Sequence, residues 1–164
     1  MIEVTASVIA AHPFLRGLPP DQLVALAGTA AIVTFPARCR LFEEGGTATH
    51  FWLIRSGRVT LDLHVPGQGR QLIETLGMGE VVGWSWMFPP YQWSFGAVAA
   101  APVEALEFDA AAVRACCASD PRLGLEISWR LTRVVTRRLQ TTRIRMLTWH
   151  DLTEQHGWGA LPDA

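Results

Sequence analysis

Lysine is absent from the 164-residue sequence, and all 14 basic positions are arginine. GC-rich coding explains that bias more simply than guanidinium chemistry does, so no functional conclusion rests on it. Cysteine is scarce: Cys39, Cys116 and Cys117 are the complete set. The adjacent pair could close only a strained eight-membered ring, which excludes a disulfide framework. No CxxC pair accompanies the three thiols and no histidine lies near them at ligand spacing, so a zinc site is not expected. Also missing is any apolar run approaching the roughly 20 residues of a membrane span. No basic residue precedes Arg16, so the N-terminus has no export-signal pattern and the expected location is the cytoplasm. Charge of one sign is lacking too. Fourteen arginines against 15 acidic residues leave −1, which excludes an overall field suited to wrapping nucleic acid or coating a membrane.

Catalytic constellations are equally scarce. The five histidines, His12, His50, His64, His150 and His156, contain no HxH pair of the kind that holds a metal in cupin jelly rolls. No serine or cysteine sits in an elbow-like turn with a recognisable base. The chain is therefore expected not to be an enzyme, with no catalytic residue and no metal ligand.

What is present is a core's worth of apolar residues, 49% of the chain, enough for one domain of ordinary size. Pro19, Pro20 and Asp21 open a short helix within Leu15 to Ala31, with Leu23, Leu26 and Ala27 at helical spacing. From Ile32 the pattern turns to short apolar runs: Ile32 to Phe35, Cys39 to Phe42, His50 to Arg55, Arg58 to His64, Gln71 to Leu76, Phe95 to Ala99 and Val103 to Phe108. Turn signals separate them at Glu44-Gly45-Gly46, Ser56-Gly57, Pro66-Gly67-Gln68-Gly69 and Gly77-Met78-Gly79. Short strands punctuated in this way predict an all-β sandwich or roll.

After Phe108 the pattern returns to helix around Ala110 to Ala118. Past Ser119-Asp120-Pro121, where either polar residue could cap and proline takes the first helical position, it continues from about Arg122 to Trp149. Within that long helix Gly124, Ser128, Leu131, Val135, Leu139, Thr142, Met146 and Trp149 recur at steps of three and four. That seam predicts homodimerisation, with Leu131, Val135, Leu139, Thr142 and Met146 at the interface. Packing of the seam on the chain's own β-roll is the other reading. Arg130, Arg133, Arg137, Arg138, Arg143 and Arg145 lie off or beside it, as a solvated face or as a stripe for an anionic partner. The expected organisation is one domain over 1–150, with a β-roll over about 32–108 and C-terminal helices over about 110–149, then a tail over 151–164.

This order of helix, roll and long helix, with those turns, resembles the cyclic-nucleotide-binding domain of the catabolite activator and protein kinase A regulatory families, over roughly Phe14 to Met146. Leu15 to Leu23 is similar to the family's first helix, and Leu41-Phe42-Glu43-Glu44-Gly45-Gly46 to its early strand and turn, with Gly46 where the family usually has Asp. Phe51 to Val59 looks like its strand, glycine turn and next strand. Met78-Gly79-Glu80-Val81-Val82-Gly83 resembles the opening of its phosphate-binding cassette, and Gly83 to Tyr91 a Gly-Trp-Ser-Trp…Pro-Pro-Tyr stretch of a bacterial subgroup of stand-alone domains. The fold implied is mainly β: a double-stranded β-helix, or jelly-roll-like β-roll, with a short N-terminal helix and a long C-terminal dimerisation helix.

The resemblance implies a ligand site at Gly79, Glu80, Val81, Val82, Gln92, Trp93 and Ser94. In the family the Glu accepts from the ribose hydroxyl, and an arginine near the cassette's end pairs with the phosphate. Here no arginine lies between Arg70 and Arg114, and Gln92 and Trp93 precede the hydroxyl residue Ser94. Losing a charge-assisted contact of about 1.5–3 kcal/mol lowers affinity by roughly ten- to a hundredfold. Glu80 has a plain alternative as a turn carboxylate. Trp84, Trp86, Phe88, Tyr91 and Trp93 could line the pocket for a flatter ligand or fill it.

The expected function is therefore a non-enzymatic regulatory or sensor module. A cyclic nucleotide or another small ligand, with no other cofactor, would move the C-terminal helix and signal through an unidentified effector protein. The alternative is a ligand-free dimeric scaffold for protein contacts. An inward Trp93 favours the scaffold. Direct DNA binding is not expected, because about 15 residues follow Trp149 and a helix-turn-helix domain needs roughly 60.

Overall fold

The computed structural model describes residues 4–156. Eight strands make up its bulk: β1 (Ala30–Phe35), β2 (Arg40–Phe42), β3 (His50–Ser56), β4 (Val59–Val65), β5 (Gly69–Leu76), β6 (Val81–Val82), β7 (Gly96–Ala99) and β8 (Val103–Asp109). The seven apolar runs marked in the sequence each become a strand. β6 is additional, and at two residues it is too short to leave a periodic signal. The strands form two antiparallel four-stranded sheets, ordered β1-β8-β3-β6 and β2-β7-β4-β5, which is the expected β-roll.

Strand alternation sorts the aromatic residues onto two sides. On β3, Trp52 faces the other sheet and stacks on Phe42 of β2 at 5.4 Å. Its neighbour Phe51 faces the opposite way, stacking on Phe108 of β8 at 4.9 Å and on Trp86 at 4.4 Å. Ile54, Val59, Leu61, Ala97 and Ala99 complete a buried interior. The β3–β4 turn depends on Gly57, whose φ is +87° and where an added Cβ would run into the Pro102 carbonyl.

Four helices flank the roll: α1 (Ala6–Ala10), α2 (Pro20–Ala27), α3 (Ala110–Ser119) and α4 (Pro121–His156). α1 has only five residues and was not marked by the sequence pattern. α2 occupies the middle of the expected Leu15 to Ala31 stretch, with proline in its first turn. Asp109 caps α3, its Oδ1 accepting the Ala112 N–H at 2.7 Å. Asp120, rather than Ser119, caps α4. Its Oδ1 accepts from the Arg122 and Leu123 amides at 3.0 and 3.3 Å, and its Oδ2 from Gln22 Nε2 at 2.9 Å. The Gln22 hydrogen bond, helped by those amides, holds the Asp120 carboxyl below its ordinary range.

α4 runs past the expected end at Trp149 to His156, so the expected tail begins in helix; residues 157–164 lie outside the described set. The chain divides into two compact units, one ending at Ser128 and the other beginning at Trp129, within α4. In the first unit α4 contributes buried Leu123 and Ile127. In the second, Leu131 is fully buried, Val135 is half-buried, and Leu139, Thr142 and Met146 are exposed. The side chains of Arg145 and Trp149 are outside the described set.

Candidate functional site

The segment between β5 and β7 carries every ligand-site residue expected from the sequence. It opens with a tight turn: the Glu80 N–H donates to Gly77 O at 3.1 Å, the Gly79 N–H to Ile54 O at 2.9 Å, and the Gly77 N–H to Glu80 Oε2 at 2.7 Å. The Glu80 carboxylate is thus a turn cap in this arrangement. Val81 and Val82 follow as β6, buried and paired with Leu53 and Trp52. The two valine side chains point to opposite faces of β6, that of Val82 to the same side as Trp52.

Gly83 ends β6 with φ +78°, and a 3-10 turn, Ser85–Met87, carries Trp86 into the core, where it is 0% exposed. The chain then passes the cis Pro89–Pro90 bond and Tyr91 and returns along residues 45–48. Three hydrogen bonds fix that return: Ala48 N–H to Tyr91 O at 2.7 Å and Trp93 N–H to Gly46 O at 2.8 Å, which together make the antiparallel Thr47–Gln92 bridge, and Gly45 N–H to Trp93 O at 2.8 Å.

Because this stretch is extended, its side chains alternate. Gln92 and Ser94 are exposed, whereas Trp93 is 5% exposed and points inward. The Trp93 ring stacks on Phe42 at 4.0 Å between centroids and lies 5.9 Å from the Trp52 ring. It also occupies the space over Gly83, where an added Cβ would collide with its six-membered ring, and a Cβ at Gly46 would sit 3.5 Å from its Cδ1. Gly83 therefore accommodates the tryptophan, while a Cβ at Gly46 would make only ordinary contact with it.

The outer wall of the segment is fastened by Arg114 of α3. Its Nη1 donates to the Trp86 carbonyl at 2.7 Å, and its guanidinium carbon lies 4.4 Å from the Tyr91 ring centroid. The Trp86 indole N–H has no partner among the described residues. Sequence reasoning missed Arg114, Phe42 and Trp52 as members of this cluster. The available signal was that Arg114 is the first arginine after Arg70, but only the fold brings α3 back onto the segment.

A model of the cyclic nucleotide-binding domain matches residues 32–120. The chain belongs to that family. Among its relatives, the CRP-like cAMP-activated global transcriptional regulator of Mycobacterium tuberculosis is 29% identical over 135 residues, which are 82% of this chain and 58% of that protein. This chain thus spans less than two thirds of that relative's length. A solved cyclic nucleotide-binding domain from Methylobacillus flagellatus superposes with a TM-score of 0.72 at 24% identity, covering 88% of this chain and 78% of that one. The regulatory subunit of a cAMP-independent protein kinase A from Trypanosoma brucei superposes with a TM-score of 0.63 at 18% identity, covering 80% of this chain and 44% of that one. A triple mutant of it is bound to cAMP in its A site.

Three features of the cassette bear on what this cyclic nucleotide-binding domain could hold. The residue expected just before the cassette hydroxyl is a buried tryptophan, the amide that could have replaced the arginine faces solvent, and Arg114 is engaged with the cassette's own backbone and Tyr91.

Proposed function

We propose that this chain is a non-enzymatic regulatory module whose roll interior is filled by its own Trp93. In this reading it works without cyclic AMP or cyclic GMP, pairs through the exposed flank of α4 and signals by contact with an effector protein. Of the two functions open from the sequence, the ligand-free module is the better supported, and the inward stack of Trp93 on Phe42 carries that preference.

The magnitudes point the same way. Withdrawing a buried tryptophan costs about 3–5 kcal/mol. That is roughly a hundred- to several thousandfold in affinity, on top of the ten- to hundredfold lost with the cassette arginine. The trypanosome protein is a precedent for keeping this fold in a cAMP-independent regulator, with cAMP bound in a substituted form.

Calorimetric titration of the wild type and of Trp93→Arg with cyclic AMP and cyclic GMP tests the reading. The wild type should give no saturable heat, whereas the variant, which gains both space and charge, should bind measurably. Saturable binding by the wild type at micromolar nucleotide would overturn the proposal and restore the nucleotide-sensor reading.

A further inference from the structure

Much of α4 carries positive charge that its own residues do not balance. From Ile127 to His150 there is no carboxylate and there are six arginines, a formal +6. Since the whole chain stands at −1, the remainder carries −7. Arg130 and Arg138 have interactions of their own, and the side chain of Arg145 is outside the described set. Arg133 and Arg137 differ from these. Both are exposed, and neither forms an ion pair among the described residues. They stand one turn apart, the spacing at which like charges destabilise a helix. Trp129, one turn before Arg133, is 62% exposed and has no ring partner among the described residues.

A helix face that only meets water gains from acidic residues three or four positions from its arginines. The positions at that spacing from Arg133 and Arg137 hold Trp129, Arg130, Val134, Thr136, Gln140 and Thr141, none of them acidic. The face is also distinct from the pairing seam. At roughly 100° per residue, Arg133 and Arg137 both lie about 160° round the helix from Val135. Pairing along the seam therefore leaves them pointing away from the second copy.

The missing carboxylates fit a protein partner. A guanidinium takes a carboxylate in a bidentate grip, and tryptophan and arginine dominate the energetic centres of protein interfaces. A nucleic acid fits less well, because a polyanion longer than this face meets the −7 of the remainder. A membrane surface fits less well too: between exposed Trp129 and Ile144 the face holds Arg133, Arg137 and Gln140, not a continuous apolar stripe.

We propose that this face of α4 docks a short acidic segment of the effector protein, with two of its carboxylates on Arg133 and Arg137 and an apolar residue on Trp129. The proposal rests on the reading that the module signals by protein contact, and it is independent of what fills the roll interior.

The test is fluorescence anisotropy of a labelled helical peptide titrated with the full chain. The peptide carries glutamates at i and i+4, with a leucine one turn beyond each, and two sister peptides replace the glutamates by glutamine and by lysine. The glutamate peptide should bind saturably and weaken as salt is raised. Arg133→Gln/Arg137→Gln should reduce its affinity about two- to thirtyfold, the range of two exposed ion pairs, and Trp129→Ala by about tenfold. Arg133→Glu/Arg137→Glu should release the glutamate peptide and take the lysine peptide, a gain that misfolding does not produce. Four results would overturn the surface: no saturable binding of the glutamate peptide, equal binding of the glutamine peptide, binding indifferent to the arginine pair, or tighter binding of oligothymidylate or phosphatidylserine vesicles through the same arginines. The nucleotide titration stays separate. A wild type that binds cyclic nucleotide and still docks the glutamate peptide would overturn the ligand-free reading and leave this surface standing.

Discussion

At the scale of single residues, Gly83 and Trp93 fit together within the cassette. Gly83 has a left-handed φ, and its missing side chain is the space in which the Trp93 ring sits. Gly46, where the family usually has Asp, accepts the Trp93 N–H on its carbonyl. Sequence reading flagged the aromatic richness of this segment but could not say whether the rings line a pocket or fill it, since both need the same residue types. A double-mutant cycle measures the complementarity. Gly83→Ala should destabilise the wild type both by the left-handed Cβ penalty of about 1–2 kcal/mol and by collision with the indole. In a Trp93→Ala background only the backbone penalty remains. Urea denaturation of the four proteins should therefore give a coupling of about 1–2 kcal/mol, with the double mutant more stable than the sum of the single changes implies. Additive effects would mean that the ring does not occupy that space.

Among the elements, the long helix and the strands with clear alternation were legible from sequence, and the short ones were not. α1 and β6 have five and two residues, too few for either periodicity to register, and both are held by long-range contacts. His12, just after α1, fastens that region to β3 through Ile54 O. Burial pushes its pKa below the ordinary 6.5, outweighing the opposite effect of that hydrogen bond. Protonation would also put an N–H on Nδ1, which accepts the Phe14 N–H at 3.2 Å. Since the folded value is the lower one, stability is fully present above about pH 6.5 and is lost as pH falls below that value toward the folded pKa. The melting temperature should drop between pH 7 and pH 5. In His12→Gln, whose Nε2 can keep the bond to Ile54 O, the drop should be largely absent. Glu43 and Asp120, both lowered by hydrogen bonds from Arg70 and Gln22, titrate below that window. Parallel pH profiles for the two proteins would refute this assignment of the slope to His12.

For the whole molecule, the open matter is pairing through α4. Val135, Leu139, Thr142 and Met146 keep part or all of their surface exposed in the second unit, whereas Leu131 is fully buried in the single chain and has little left to offer a partner copy. Light scattering should find the wild type at twice its 18.1 kDa chain mass, and Leu139→Glu should shift it to one chain mass without loss of helical signal. A monomeric wild type at tens of micromolar would remove α4 pairing from the proposed function. The sequence by itself determined the roll, seven of its eight strand positions and the capped long helix, because alternation, glycine turns and capping are local codes that survive without tertiary contacts, and its cassette and turn motifs carried the resemblance to the family. Only the tertiary structure decided that Trp93 turns inward while Gln92 turns out and that Arg114 from α3 fastens the cassette. Each of these depends on segments far apart in the chain being brought together, and no local pattern of residues records which side of an extended strand will find the space.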